Sequence, residues 1–331
     1  MIRKRIRRRR VHKRRRPGPG LAAKGYRDGR DWLLRTSGKA SAYAAAIAAQ
    51  QAWSRFALRR RGQRRSWPVL LRDGRRYAAG FWRGANRPGG LLPIPLRGTA
   101  AAVVYAAGDV NALRATLHTL RQLPLHERIV ILPAVASSEL LALSQAEPGV
   151  TTVYRPELAD ADRGRALGGR LATADTVLFV EDDNRATSAQ LAKFIWKCDN
   201  GMDVALNDIS SQFGVFRRRP DVLRLAEFFN LTLNRRELRA SSLSVLPFAL
   251  SRRALQSIGP EKLADPPQAY TAAILGALRV GLAASAPSAA VAAVDAAMVN
   301  GFAVAWKAAM TRLGSRHSFP DKLRYRAQLE D

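Results

Sequence analysis

The chain has 331 residues, 47% of them hydrophobic, and a formal net charge of +29, so it holds enough apolar material to bury a sizeable core. A single cysteine, Cys198, excludes an intrachain disulfide and fits a reducing, cytoplasmic setting. The scattered His12, His118, His126 and His317 exclude a zinc site built with it. Residues 1–100 carry 28 Lys/Arg against 3 Asp, whereas residues 101–331 carry 27 against 23 Asp/Glu, so a polycationic front precedes a near-neutral globular part.

That division predicts three segments: a polybasic tail over 1–20, a basic accessory region over 21–98 and one large domain over 99–331. Eleven of the first sixteen residues are Lys or Arg. Like charges at this density repel and bury nothing, which predicts disorder in isolation. No apolar stretch follows, so the tail does not read as a secretory signal. It reads either as a tether to a polyanion (nucleic acid, an anionic membrane or a wall polymer) or as a solvated tail without a defined partner. With no interleaved aromatics and no nucleic-acid-binding module, sequence-specific readout is not expected. Beyond Pro17-Gly-Pro-Gly20, Lys39 to Arg61 reads as an Ala-rich helix. Short aromatic and Gly-rich pieces and Pro93-Ile-Pro95 then lead to the domain.

From Thr99 the pattern alternates between strands and helices. Ala101–Ala106, Arg128–Leu132, Thr151–Tyr154 and Thr176–Val180 read as buried strands; residues 111–122, 138–145 and 162–174 read as helices between them. This order predicts an α/β fold, a mostly parallel sheet with helices on both faces, whose ligand lies outside the carboxyl ends of the strands. The last of these strands runs into Glu181, Asp182 and Asp183. Three adjacent carboxylates repel and are costly to desolvate unless they face water or hold a cation. Glu181 and Asp183, two residues apart, are candidates for a divalent Mg or Mn ion; alternatively the acidic turn caps a helix starting near Ala186. Further on, Asp295 to Leu313 reads as a helix with a core stripe of Met298, Phe302, Trp306 and Met310. No apolar run of membrane-spanning length is present.

The block from Arg163 through Gly164, Gly168 and Gly169 to Val180-Glu-Asp-Asp183 is similar to the family-2 glycosyltransferases of GT-A fold, in which a Gly-containing helix precedes an apolar strand and an acidic D-x-D motif. A second block, Phe248 to Gly259, is similar to the family's strand, Arg-containing turn and helix ahead of its catalytic base. The resemblance covers roughly residues 101–294. It implies a GT-A-like domain that binds a nucleotide-diphosphate sugar and transfers the sugar, with inversion, to a glycan, lipid or protein acceptor. By the same resemblance Glu181 and Asp183 would hold the metal and Asp109, Asp182, Arg163 and Arg170 the donor. Asp265, eleven residues before Gly276, would be the base, although Asp265 also suits a helix N-cap before Pro266-Pro267. Two departures stand out: Glu181 replaces the first Asp of the motif, and the second strand ends in Leu132-Pro-Ala-Val-Ala-Ser137 without an acid. They leave open a degenerate, glycosyltransferase-like binding protein, or a polyanion-binding protein in which the basic front does the work.

Overall fold

The computed structural model describes residues 20–37, 40–59, 66–158, 160–288 and 296–317. The polybasic segment 1–16 and Asp295 lie outside the described residues. Three helices come first, α1 (Leu21–Arg35), α2 (Ala42–Arg59) and α3 (Trp67–Gly84). A strand–helix succession follows: β1 (Ala100–Tyr105), α4 (Val110–Arg121), β2 (Glu127–Leu132), α5 (Ser138–Ala146), β3 (Val150–Tyr154), α6 (Ala161–Leu171), β4 (Thr176–Glu181), α7 (Ser188–Asp199), β5 (Val204–Asn207), α8 (Asp221–Thr232), β6 (Phe248–Ser251), α9 (Arg252–Ile258), α10 (Pro266–Leu275), β7 (Val280–Ala284) and α11 (Ala296–Leu313).

Among the described residues seven strands form one sheet in the order β3-β2-β1-β4-β6-β5-β7. Only β6 runs antiparallel to its neighbours β4 and β5; the remaining pairs are parallel. The strands are apolar on both sides because helices cover both faces. Val103 and Phe179, side by side in the register, enter a core with α8, α9, α10 and α11. Their alternates Val104 and Leu178 enter a second core with α4 and α7. The expected α/β sheet is therefore present, and the four strands read from the apolar runs are observed within a residue at each end.

The accessory region differs from expectation. Among its described residues it holds three helices rather than one, with a core of Trp32, Trp53, Tyr77, Phe81 and Trp82. The reason is visible in the glycines that hide α1 and α3 from a propensity reading. A Cβ on Gly25 would lie 2.0 Å from the Tyr77 carbonyl oxygen, and one on Gly80 2.0 Å from that of Ala22. The two helices touch backbone to backbone, and that packing offsets the poor intrinsic helicity. Gln50 holds the segment leading to β1, its amide donating to the Ile94 carbonyl at 2.5 Å and accepting from the Ile94 amide at 3.1 Å, and the Ile94 side chain is buried in the core of the sheet domain. Trp67 meets Trp196 of α7 at 5.4 Å between ring centroids.

On α11 the expected stripe meets the core at three of its four residues and leaves it at the last. Phe302 is buried and Met298 and Trp306 pack against the core, but Met310 is 42% exposed, and Ala305 and Ala309 face inward instead. A four-residue step overshoots a helical turn of 3.6 residues by about 40°, so three steps rotate the stripe by about 120°.

Candidate active site at the carboxyl edge of the sheet

Six of the seven strands end at one edge, and the loops leaving them form the candidate site. Tyr105, the last residue of β1, pairs in register with Glu181, the last of β4. The turn after β4 is fastened to the turn after β1: Asp182 Oδ2 accepts from the amides of Ala107 at 3.1 Å and Gly108 at 2.9 Å. Thr116 of α4 locks the same turn from behind. Its hydroxyl donates to the Asp182 carbonyl at 2.8 Å and accepts from the Asn184 amide at 3.0 Å. Asp182 is thus an organiser of the two loops. Asp109 caps α4 by accepting from the Ala112 amide at 2.8 Å; its side chain is exposed just past Gly108.

The acidic turn does not cap the next helix. That helix starts at Ser188, not near Ala186, and is closed by a capping box of Thr187 and Gln190. Glu181 and Asp183 are both half-buried. Among the described residues no group of three or more His, Cys, Asp or Glu side chains stands together as a metal cage. Two hard carboxylates do fit a hard cation whose other ligands come from a diphosphate or water, which is how Mg²⁺ is commonly held.

Helix α6 lies against β1 through glycine. A Cβ on Gly164 would fall 2.2 Å from Tyr105 Cδ2, and one on Gly168 2.2 Å from Val103 Cγ1. This approach aims Arg165 and Asp162 at the edge. They form an ion pair with the Arg165 side chain only 17% exposed. Burial pushes the Asp162 carboxyl up, Arg165 pulls it back, and the charges of Asp160 and Asp265 push it up again. Burial likewise raises the Tyr105 phenol, helped by Asp160 and Asp182 and opposed by Arg165. Asp265 is the N-cap of α10: Oδ1 accepts from the Gln268 amide at 3.0 Å and Oδ2 from the Gln268 side chain at 2.7 Å. Gly301 of α11 leaves room beside it, a Cβ there falling 2.9 Å from Asp265 Oδ1.

Asp265 thus lies close enough to Asp162 for its charge to push that carboxyl up, and Tyr105 stands within the same reach of Asp160, Asp182 and Arg165. Arg163 and Arg170 are placed elsewhere. Both are exposed and line a 520 Å³ cleft with Arg155 and Glu261 on the outer side of α6, where Arg163 stands 3.5 Å from Asp160. Sequence reasoning missed Tyr105, Thr116 and Asp162. The one available signal was Tyr105 itself, a polar-tipped aromatic closing an apolar strand.

No protein-family model matches the chain, and no curated protein matches it. Solved structures do show likeness. The mannosyltransferase PcManGT from Pyrobaculum calidifontis in complex with GDP-Man and Mn²⁺ is 16% identical, with 74% of this chain and 69% of that chain covered and a TM-score of 0.40. The glucosyl-3-phosphoglycerate synthase from Mycobacterium tuberculosis in complex with Mn²⁺, UDP and glucosyl-3-phosphoglycerate is 16% identical, with 68% and 82% covered and a TM-score of 0.44. The same synthase with Mg²⁺ and UDP is 13% identical, with 68% and 81% covered and a TM-score of 0.42. Likeness of this degree assigns no activity to this chain.

Proposed function

We propose that the protein is a glycosyltransferase that takes a sugar from a nucleoside-diphosphate donor, with inversion, in a divalent-metal-dependent reaction. One observation carries the reading. Strand β4, ending beside β1 at the carboxyl edge, runs into a carboxylate-bearing turn, Glu181-Asp-Asp183, that is fixed to the β1 loop through Asp182 and is not spent on capping α7. The motif resemblance around residues 163–183 and 248–259 supports the same reading.

In this reading Glu181 and Asp183 would hold the cation, which would neutralise charge on the departing diphosphate. Asp109 and the β1 loop that carries it would flank the nucleotide, while Asp182 keeps that loop in place. Asp265 takes the proton of the acceptor hydroxyl as the hydroxyl oxygen bonds to the anomeric carbon. The bond from that carbon to the diphosphate breaks, and the nucleoside diphosphate leaves with the bonding pair. Arg165 sets a positive charge among Asp162, Asp160 and Asp265 and so limits their mutual repulsion. The exposed Arg163 and Arg170 would guide the anionic donor from a distance.

Calorimetric titration with UDP- and GDP-sugars, with and without Mn²⁺, tests the proposal. Metal-dependent binding that is lost in Asp183→Ala, with an unchanged melting temperature, is the expected result. Absence of binding to any nucleotide sugar would overturn the assignment. Donor binding without transfer to any acceptor would leave a binding protein in its place.

A further inference from the structure

The loop that leaves β5 carries a surface the proposed reaction does not use. Residues 213–219 read Phe-Gly-Val-Phe-Arg-Arg-Arg. Val215 and Phe216 are 59% and 47% exposed, and Arg217 and Arg218 are exposed beside them. The turn is well fastened. Phe213 packs against the core of the sheet domain. The Arg218 amide donates to the Val215 carbonyl at 2.9 Å and the Arg219 amide to that of Phe216 at 3.1 Å. The Arg219 guanidinium, 12% exposed, donates to the Gly214 carbonyl at 3.0 Å and pairs with Glu227 of α8. One arginine of the three is thus used internally to pin both ends of the turn, and the apolar pair is held out in water.

Water opposes the exposure of two large apolar side chains on a fixed turn, and the neighbouring charge says what covers them. No acid occurs from Phe213 to Pro220. The two carboxylates that follow it in the chain are already paired, Asp221 with Arg224 and Glu227 with Arg219. That leaves a tip of two apolar residues beside two arginines, a pattern matched by an anionic lipid interface, where rings enter the headgroup–acyl boundary and guanidinium groups pair with phosphates. A tip of four residues is too small for a stable interface with a second copy, which needs roughly 1,000 Å². We propose that the turn formed by Val215, Phe216, Arg217 and Arg218 docks the protein on an anionic phospholipid surface. The attachment is peripheral, since no helix among the described residues is long and apolar enough to cross a membrane.

The test places a reporter on the turn of the full chain. Cys198 is buried and burial pushes its thiol up, so an environment-sensitive fluorophore on Phe216→Cys labels one site. With phosphatidylcholine vesicles containing about 30 mol% phosphatidylglycerol, the emission should shift to the blue and be quenched by spin-labelled lipid. Pure phosphatidylcholine, or a label on Glu139→Cys of α5, should give neither change. The double variant Val215→Ser/Phe216→Ser should partition onto the anionic vesicles about tenfold more weakly, with an unchanged melting temperature because both side chains are exposed. An unshifted Phe216→Cys label on protein that nevertheless sediments with the vesicles would assign the binding to other cationic segments and overturn the proposal. A blue shift that appears on raising protein concentration without vesicles would also overturn it, in favour of self-association.

Discussion

Replacing Gly168 or Gly164 by alanine separates two opposed effects of a glycine in a helix. On an open helix surface each change would stabilise the protein by about 0.5–1 kcal/mol through backbone entropy. In this structure the added Cβ of Gly168→Ala falls 2.2 Å from Val103 Cγ1, more than 1 Å inside ordinary contact. Val103 is fully buried between Phe179 and Ile129 in the register, so it has nowhere to go. Overpacking of this kind costs about 1–3 kcal/mol, which exceeds the propensity gain and leaves a net loss on the order of 1–2 kcal/mol. For a chain of this size that lowers the melting temperature by about 1–3 °C. Gly164→Ala meets the ring of Tyr105 instead, and that ring stands at the open edge beside Glu181. It should lose less stability and more nucleotide affinity, because the ring moves into the site. Thermal melts followed by circular dichroism, together with calorimetric titration of a UDP-sugar, measure both quantities. A rise in melting temperature for both variants would show that α6 does not press on β1, and the positioning of Arg165 and Asp162 argued from that contact would fall with it.

Asp265→Asn keeps the cap, since Asn serves at a helix N-terminus about as well as Asp, so the melting temperature should hold while sugar transfer falls by at least about tenfold; wild-type turnover in that variant would remove Asp265 as the base. Asp203 is buried, and although burial pushes its carboxyl up, the Arg279 amide at 2.9 Å, the Arg279 guanidinium and Arg253 hold it below the usual carboxylate range. A depressed value means stability that is present above the unfolded pKa and lost as pH falls through the folded one, so urea midpoints should drop as pH falls below about 4. Asp203→Asn should weaken that acid dependence and cost about 2 kcal/mol at neutral pH. Finally, if residues 1–16 tether the protein to a polyanion, deleting them should weaken duplex DNA binding and flatten a log–log salt slope of about −0.9 per phosphate contacted, leaving donor affinity unchanged; equal binding by the shortened chain would sink the tether.

The sheet was legible because buried parallel strands are short continuous apolar runs, and the runs read from Ala101, Arg128, Thr151 and Thr176 begin within a residue of β1, β2, β3 and β4. The position of the acidic turn followed from the same pattern. The faces of α6 were not legible. Its inward side is marked by Gly164 and Gly168, which carry no side chain to set an apolar period, so the sequence points to Arg163 and Arg170 for the donor and does not single out Arg165, the arginine that pairs with Asp162. Asp162 and Asp265 lie far apart in the chain, and only the closure of α10 against α6 through residues 260–264 makes one a neighbour of the other. The dual character of Asp265 was readable from Pro266-Pro267, but not the fact that Gln268 occupies both of its oxygens.

The one strand of opposite direction bears on how the molecule is assembled. β3, β2, β1 and β4 form a contiguous half-sheet that can complete itself as soon as residue 181 has been made. The other edge of β4, the apolar Thr176–Phe179, pairs with β6, which is synthesised only after the whole stretch of 208–247. Until Phe248–Ser251 slots between β4 and β5, a growing chain carries an open, apolar strand edge, a ready template for pairing with another chain. Synthesis halted anywhere in 208–247 would leave that edge uncovered, so the half-made protein should aggregate where the finished one does not.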